Sequence, residues 1–377
     1  MLGLWKKNEN LHSRIIFIAP DINSGGAENI LYNVAKNQNN KDITIISLTD
    51  IGFYGKKLKD NDYKIYALNM KRNLFLIIKL FYLIILIRKI KPKFVQTWLY
   101  HGNLIGGIAA KIAGIKNIIW TIHHDFESGS LIMNIEMKIL ILLSYIIPNK
   151  IIYGSYSSKV NHFKNGYIKC KSLVIDNGVS MDKFKPISKL RFNVRSELNI
   201  SKNCILIGNI SRYNPIKDHD TLLKTLKLLK NEGIDFKCIM VGIGLDENNI
   251  ELKYKITNYE LSKNIILYGR TFQMNKIINS FDLNLLTSIR ECSPISILES
   301  MSVGIPCIST DVGDASRLIG NSGWVFPTYD YKSIASCIVN ISKKKYILKY
   351  KSLLARKRIR ENFLLNDMVI KYKNLYK

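Results

Sequence analysis

Ile205-Leu206-Ile207-Gly208-Asn209-Ile210-Ser211-Arg212-Tyr213-Asn214-Pro215-Ile216-Lys217-Asp218 reads as a strand, a loop and the start of a helix. The run Ile205 to Ile210 is short and apolar, and the loop behind it carries a proline before a helical pattern sets in. Such a strand delivers Arg212 at its C-terminal end, and Lys217 follows just before the helix. Two cations on one loop suit a diphosphate, Arg through a forked contact and Lys as a point charge. Two solvated surface cations are the alternative reading of the same residues.

The same alternation runs along the whole chain. A first series of strand-like runs comprises Arg14 to Ala19, Ile43 to Leu48, Lys64 to Leu68, Phe94 to Trp98, Asn117 to Ile122, Lys150 to Tyr153 and Leu173 to Ile175. A second comprises Ile205 to Ile210, Lys237 to Val241, Ile265 to Tyr268, Leu283 to Leu286 and Cys307 to Thr310. Helical patterns fill most gaps, which predicts an α/β fold of parallel sheets in two doubly wound domains. Asp176-Asn177-Gly178-Val179 and the polar Ser180 to Lys189 are the best linker, giving expected domains over residues 1–185 and 186–355 and a C-terminal helical segment over 356–377. Ligands of open α/β sheets bind at the carboxyl ends of the strands, so the expected active site is a cleft between the two domains.

Composition narrows the function. The 377 residues are 47% hydrophobic and 23% charged, enough apolar material for two cores and too much for a disordered chain. Lys and Arg number 56 against 29 Asp and Glu, a net charge of +27, which invites a nucleic-acid or anionic-membrane partner. Only 12 of the 56 are Arg, the residue favoured for paired recognition of phosphates and base edges, and no aromatic–basic motif is present, so no nucleic-acid partner is expected. Lys56 to Lys93 and Lys343 to Lys377 supply +9 and +10 of the excess. The six cysteines show neither zinc nor Cys-x-x-Cys spacing, and Met1 to His12, with Lys6, Lys7 and Glu9, carries no signal-peptide run. A cytoplasmic protein with reduced thiols is expected. Leu74 to Ile87 and Leu131 to Ile147 contain charges and are too short to span; they read as helices buried on one face, or as helices lying on an anionic membrane.

Several other motifs could carry chemistry. Asn23-Ser24-Gly25-Gly26-Ala27-Glu28 follows the first strand, where paired glycines let backbone N–H groups approach an anion or simply make a tight turn. In Arg290-Glu291-Cys292-Ser293-Pro294-Ile295-Ser296-Ile297-Leu298-Glu299, Pro294 should open a helix capped by Ser293, leaving Glu291 in the loop and Glu299 in the second turn. Two carboxylates at different depths suit different hydroxyls of one ligand. His123 and His124 end the strand Asn117 to Ile122, and His101 follows Phe94 to Trp98 at the same sheet end. No His/Cys cluster has metal-ligand spacing, and Asp60-Asn61-Asp62 reads as a solvated turn, so no metal is expected.

With these residues in place the chain resembles a retaining glycosyltransferase of family 4, with the GT-B fold of two Rossmann-like domains facing each other across a cleft. The resemblance is carried by Gly25-Gly26-Ala27-Glu28, Trp98 to Ala113, Thr121-Ile122-His123-His124 and Asn177-Gly178-Val179. In the second domain it is carried by Arg212 with Lys217-Asp218, Val241 to Gly244, Glu291 with Glu299, Gly304-Ile305-Pro306 and Thr310 to Asp314. It implies that Arg212 and Lys217 bind the donor diphosphate, that Gly25 and Gly26 approach its phosphates, and that Glu299 takes the ribose hydroxyls. Glu291, with backbone groups of Cys292, Ser293, Pro294 and Ile295, would hold the sugar, and His123 would face the anomeric centre. Cys292 stands where the family usually has glycine or a similarly small residue.

The implied reaction is metal-independent transfer of a hexosyl or N-acetylhexosaminyl group, with retention, from a nucleoside diphosphate sugar to a lipid-linked saccharide during bacterial surface-polysaccharide synthesis. UDP-sugars are the first donors to expect, and no further cofactor is implied. Closure about Asp176 to Pro186 would assemble the site. The alternatives are a sugar-nucleotide epimerase of GT-B type and a basic nucleic-acid binder. For an enzyme with lipid-linked acceptors, Lys56, Lys57, Lys59, Lys89, Lys91 and Lys93 would help the first domain rest as a peripheral protein on an anionic cytoplasmic leaflet of the inner membrane.

Overall fold

The computed structural model describes residues 14–70, 75–126, 129–344 and 346–377. The segment Met1 to His12 and Leu74, both used in the sequence reading, lie outside these residues. The chain divides into two compact units between Asp176 and Asn177, and Val369–Lys377 belongs to the first.

In the first unit the strands are β1 (Ile15–Ala19), β2 (Ile43–Ser47), β3 (Lys64–Ala67), β4 (Phe94–Trp98), β5 (Asn117–Ile122), β6 (Lys150–Tyr153) and β7 (Ser172–Val174). They form one parallel sheet in the order β3-β2-β1-β4-β5-β6-β7. Every residue of β1, β2 and β4 is buried, as expected where helices cover both faces. The helices are α1 (Gly26–Lys36), α2 (Gly52–Lys59), α3 (Phe75–Ile90), α4 (Leu99–His101), α5 (Gly107–Ile112), α6 (Leu131–Ile146) and α7 (Tyr156–Lys164), with a wide turn over Gly102–Gly106. Strand order reverses between β3 and β4, so right-handed crossovers put α1 and α2 on one face and α3, α5, α6 and α7 on the other. Arg88 Nη2 donates to the Ile112 carbonyl at 2.9 Å and Lys111 Nζ to the Ile146 carbonyl at 3.3 Å, tying α3, α5 and α6 side by side. Asp60 to Asp62 is the exposed turn after α2.

The second unit repeats the plan with β8 (Ile205–Ile210), β9 (Phe236–Val241), β10 (Ile265–Gly269), β11 (Leu283–Leu286), β12 (Cys307–Thr310) and β13 (Trp324–Phe326) in the order β10-β9-β8-β11-β12-β13. Its helices are α8 (Ser188–Glu197), α9 (His219–Asn231), α10 (Ile250–Asn258), α11 (Met274–Ile278), α12 (Ile295–Val303), α13 (Ala315–Ile319), α14 (Tyr331–Lys343) and α15 (Tyr346–Asn362), and α16 (Leu365–Asn374) follows. The apolar runs of the sequence predict a last strand at Cys307 to Thr310. β13 escaped prediction because three half-buried residues at a sheet edge carry almost no pattern.

Two boundaries differ from those read in the sequence. The division after Asp176 replaces the one expected after residue 185, because residues 177–187 pack into the second unit. Val179 N–H donates to the Phe363 carbonyl, Leu365 N–H to the Val179 carbonyl, and Ser302 Oγ to the Phe184 carbonyl. Residues 356–377 do not form one separate segment. Those through Met368 belong to the second unit and Val369–Lys377 to the first, where Tyr372 and Tyr376 are buried. The Tyr372 ring stacks with Trp98 at 5.8 Å between centroids, and Tyr376 lies beside Phe17 and Phe94.

The Tyr372 hydroxyl is buried without a hydrogen-bond partner among the described residues. Tyr372→Ala should therefore cost about 3–5 kcal/mol in denaturant unfolding, as for other large aromatic deletions, whereas Tyr372→Phe should be neutral or gain about 1 kcal/mol. A Phe variant as damaging as the Ala variant would contradict this packing.

Candidate functional site

In the second sheet the strand order turns back between β8 and β11, so the loops leaving these neighbours diverge and open a crevice at their carboxyl ends. The loop after β8 carries Arg212 and Lys217. Its path is fixed from both sides. Ser211 N–H donates to the Val241 carbonyl at 3.0 Å and Tyr213 N–H to the Ile243 carbonyl at 2.8 Å. Gly242 permits this approach: it sits at φ 147°, and a Cβ there would lie 1.7 Å from the Ser211 carbonyl oxygen. Ser211 Oγ donates to Asn209 Oδ1 and so accepts from His219 Nε2 at 2.9 Å. Burial lowers the His219 pKa to about 4, with the Lys217 charge adding to it, so this imidazole is neutral at pH 7.

The loop after β11 meets it. Ile289 N–H donates to the Ile216 carbonyl at 2.9 Å, and Thr287 Oγ1 lies 3.2 and 3.0 Å from the carbonyl oxygens of Lys217 and Asp218. Asp218 holds a left-handed conformation at φ 46° and caps α9 through Oδ1 to the Thr221 N–H. With both backbones laced, Lys217 Nζ reaches Glu291 Oε1 at 2.5 Å, and Ser288 Oγ donates to the same oxygen at 2.7 Å. The two side chains are only 15% and 12% exposed, so the pair is largely desolvated and each charge depends on the other. Arg212 is different. It is exposed at the mouth of the crevice and makes no side-chain hydrogen bond or ion pair with the described residues, leaving its planar fork open to an anion.

Cys292 and Ser293 lie buried behind Glu291. Gly313, at φ 57°, packs its backbone on that of Glu291 and Cys292, where a Cβ would come within 2.5 Å of both carbonyl oxygens, and Asp314 N–H donates to the Cys292 carbonyl. The capping arrangement expected for α12 is not the one formed. Pro294, with ψ 109°, is itself the residue before the helix, and Ser293 Oγ is buried without a partner. The extended Pro294 carries Ser293 one position too far from the first turn for its hydroxyl to cap. Ile295 opens the helix, and Glu299 falls in its second turn as expected. Glu299 is half-buried, and desolvation of its carboxyl raises its pKa from 4.5 to about 7 against the weaker opposing pull of Lys183.

In the first unit Gly25 is the residue before α1 and Gly26 opens the helix. The Glu28 carboxylate folds back over Gly25 in the first turn, close enough that a Cβ on Gly25 would meet it at 2.1 Å. His123 leaves β5 and stacks on Trp98, with ring centroids 5.5 Å apart and planes 4° from parallel. Burial, reinforced by His124, lowers its pKa to about 3, so it is neutral at pH 7, and its Nε2 has no partner. His101 turns aside to Glu136, at 3.7 Å.

Two doubly wound parallel sheets, with an open arginine and a buried Lys–Glu pair at the reversal of the second, have the plan of the GT-B fold. Residues 191–362 match the family described as Glycosyl transferases group 1 and residues 24–183 that described as Glycosyltransferase Family 4. The chain belongs to this family of glycosyltransferases. It is 27% identical over 298 residues, covering 77% of this chain and 76% of the relative, to the UDP-Gal:alpha-D-GlcNAc-diphosphoundecaprenol alpha-1,3-galactosyltransferase of Escherichia coli. It is 24% identical over 338 residues, 86% of each chain, to the capsular polysaccharide biosynthesis glycosyltransferase CapM of Staphylococcus aureus. The crystal structure of Anabaena HepE in complex with UDP-glucose superposes with a TM-score of 0.86 at 19% identity, covering 96% of this chain and 99% of that one.

Arg212, Lys217, Glu291, Cys292, Ser293, Pro294, Ile295 and Glu299 are thus gathered on the strand-end side of one unit. Thr287, Ser288 and His219, which position them, were not singled out in the sequence, and Gly313 entered only as part of Thr310 to Asp314. Thr287 and Ser288 follow directly on the strand Leu283 to Leu286, so their place at a strand end was the available signal.

Glu299 yields a signed prediction. Its folded pKa is raised, so the native state holds the proton more tightly than the unfolded chain. Its contribution to stability is full below pH 4.5 and is lost as pH rises through about 7, on the order of 3 kcal/mol in total. Glu299→Gln should remove this decline from the pH dependence of unfolding. Parallel stability profiles for the two proteins would refute the assignment.

Proposed function

We propose that the protein transfers a hexosyl or N-acetylhexosaminyl group from a nucleoside diphosphate sugar, a UDP-sugar first, to a hydroxyl of a lipid-linked saccharide during surface-polysaccharide assembly, with retention of anomeric configuration. The observation that carries the reading is the crevice between β8 and β11, where one loop carries the exposed Arg212 and the Lys217 that pairs with Glu291. The names of the Escherichia coli and Staphylococcus aureus relatives, which specify a diphosphoundecaprenol-linked acceptor and capsular polysaccharide, support the acceptor class. The UDP-glucose complex of HepE supports the donor. The six free cysteines fit a reaction in the cytoplasm.

Each residue then has a physical task. As the bond from the anomeric carbon to the diphosphate breaks, negative charge grows on the leaving phosphate. Arg212 and Lys217 stabilise that charge from fixed positions, helped by the free N–H groups at the start of α12. Because Lys217 is already bound to Glu291, it is oriented before the donor arrives, and Glu291 is held for the sugar hydroxyls on its remaining valences. The Glu299 carboxylate accepts the ribose hydroxyls, an interaction that favours its ionised form and strengthens as pH rises through about 7. In the first unit the neutral His123, whose buried Nε2 is without a partner among the described residues, is the candidate for a sugar hydroxyl. In the attack proposed here the acceptor oxygen bonds to the anomeric carbon on the face the phosphate leaves, and the acceptor proton passes to a departing phosphate oxygen. Cys292, at a position usually filled by a smaller residue, narrows the sugar pocket.

Arg212→Ala, Lys217→Ala and Glu291→Ala should each lower turnover by roughly 10²-fold or more, as removal of one charge-stabilising donor does elsewhere. The assay is UDP release from a panel of UDP-hexoses with lipid diphosphate-linked acceptor. Because removing either partner strands a buried charge, Lys217→Met combined with Glu291→Gln should be more stable than either single change. Full activity in the Lys217 and Glu291 variants would sink the donor-site reading, and a product of inverted configuration by NMR would sink retention.

A further inference from the structure

The face of the first unit built from α3, α5 and α6 carries an apolar outer surface that the fold does not use. On α3 the inner side chains Leu83, Ile84, Leu86, Ile87 and Ile90 are buried. Its outer side presents Ile77, Ile78, Phe81 and Ile85, the first three more than 60% exposed. On α6, Leu131, Ile135, Leu142 and Ile146 are exposed at helical spacing, from 50% to 75%. Of the twenty-five large apolar side chains exposed among the described residues, twelve lie on these three adjoining helices. Scattered exposed apolar residues are ordinary; a continuous field of them marks an interaction surface.

The charge around the field selects the partner. Lys79, Lys89, Lys111 and Lys138 stand among or beside the apolar rows, and among the described residues of the three helices the sole carboxylate is Glu136, which faces His101 at 3.7 Å. An apolar stripe rimmed by cations with no exposed acid matches an anionic lipid surface, where side chains enter the headgroup boundary and lysines meet lipid phosphates. No helix among the described residues is long and apolar enough to cross a membrane, so the contact is one of lying on the surface. Lys56, Lys57 and Lys59 lie in α2 on the opposite face of the sheet, so the basic cluster read from the sequence splits between two faces.

We infer that the first unit docks on anionic membrane through the outer faces of α3, α5 and α6. The inference stands on this surface and does not depend on the reaction proposed above. The test is co-sedimentation of the full chain with vesicles of phosphatidylglycerol and, separately, of phosphatidylcholine. The protein should pellet with the former and scarcely with the latter. Phe81→Ser with Leu142→Ser should lower partition roughly tenfold or more. Lys89→Gln with Lys138→Gln should lower it by about thirtyfold on phosphatidylglycerol alone, from about 1 kcal/mol per cation. All four changes are at exposed positions, and an unchanged UDP-induced thermal shift or unfolding midpoint shows that the fold is intact. Wild-type protein left in the supernatant with phosphatidylglycerol overturns the inference, as do serine variants that pellet like wild type. It is equally overturned if those variants turn a dimer into a monomer while vesicle binding is unchanged, since the face would then serve a second copy of the chain.

Discussion

The contact between Lys217 Nζ and Glu291 Oε1 is the constraint on which the second unit's chemistry depends. A largely buried ion pair contributes little net stability, because desolvation offsets most of its attraction. What it provides is position. The two residues come from loops on either side of the sheet's reversal, 74 positions apart in sequence, and can meet only if both backbones are held. Thr287 at the Lys217 and Asp218 carbonyls, Ile289 at Ile216, and Gly313 beneath Glu291 perform that holding. Arg212, whose side chain has no partner among the described residues, is then a cation offered on a rigid frame.

The environments of the candidate residues push their protonation in different directions, and burial is the first cause in each case. Glu299 is driven toward the neutral form near pH 7, while His123 and His219 are kept uncharged well below it. A neutral imidazole can both donate and accept, which suits His219 as a brace for Ser211. The stacking of His123 on Trp98, and of Trp98 with Tyr372, links this loop to the last turns of the chain.

Much of this was legible in the sequence. Parallel strands buried on both faces write unbroken apolar runs, so β4, β5, β6, β8, β11 and β12 were bounded correctly from residue types alone. Arg212 was read at a strand end, Lys217 just before a helix and Glu291 in a loop, and the structure brings the last two into contact. What stayed hidden was set by tertiary contact. β13 is too short to show a pattern, Ser293 was displaced from its capping role by the extended Pro294, and Tyr372 gives no local hint that it stacks with Trp98. The outer faces of α3 and α6 are instructive in a different way. Their isoleucines are indistinguishable in sequence from core residues, and only the structure shows which side remains uncovered.

The central claim is that the crevice between β8 and β11 is built for a nucleoside diphosphate sugar. Thermal unfolding with and without UDP and a panel of UDP-sugars tests it most directly. Saturation at about 100 times the dissociation constant adds about 2.7 kcal/mol of stability. The account predicts an upward shift with UDP in the wild type that is lost in Arg212→Ala. A transition unmoved by any nucleotide or nucleotide sugar, or moved equally in the Arg212 variant, would contradict it.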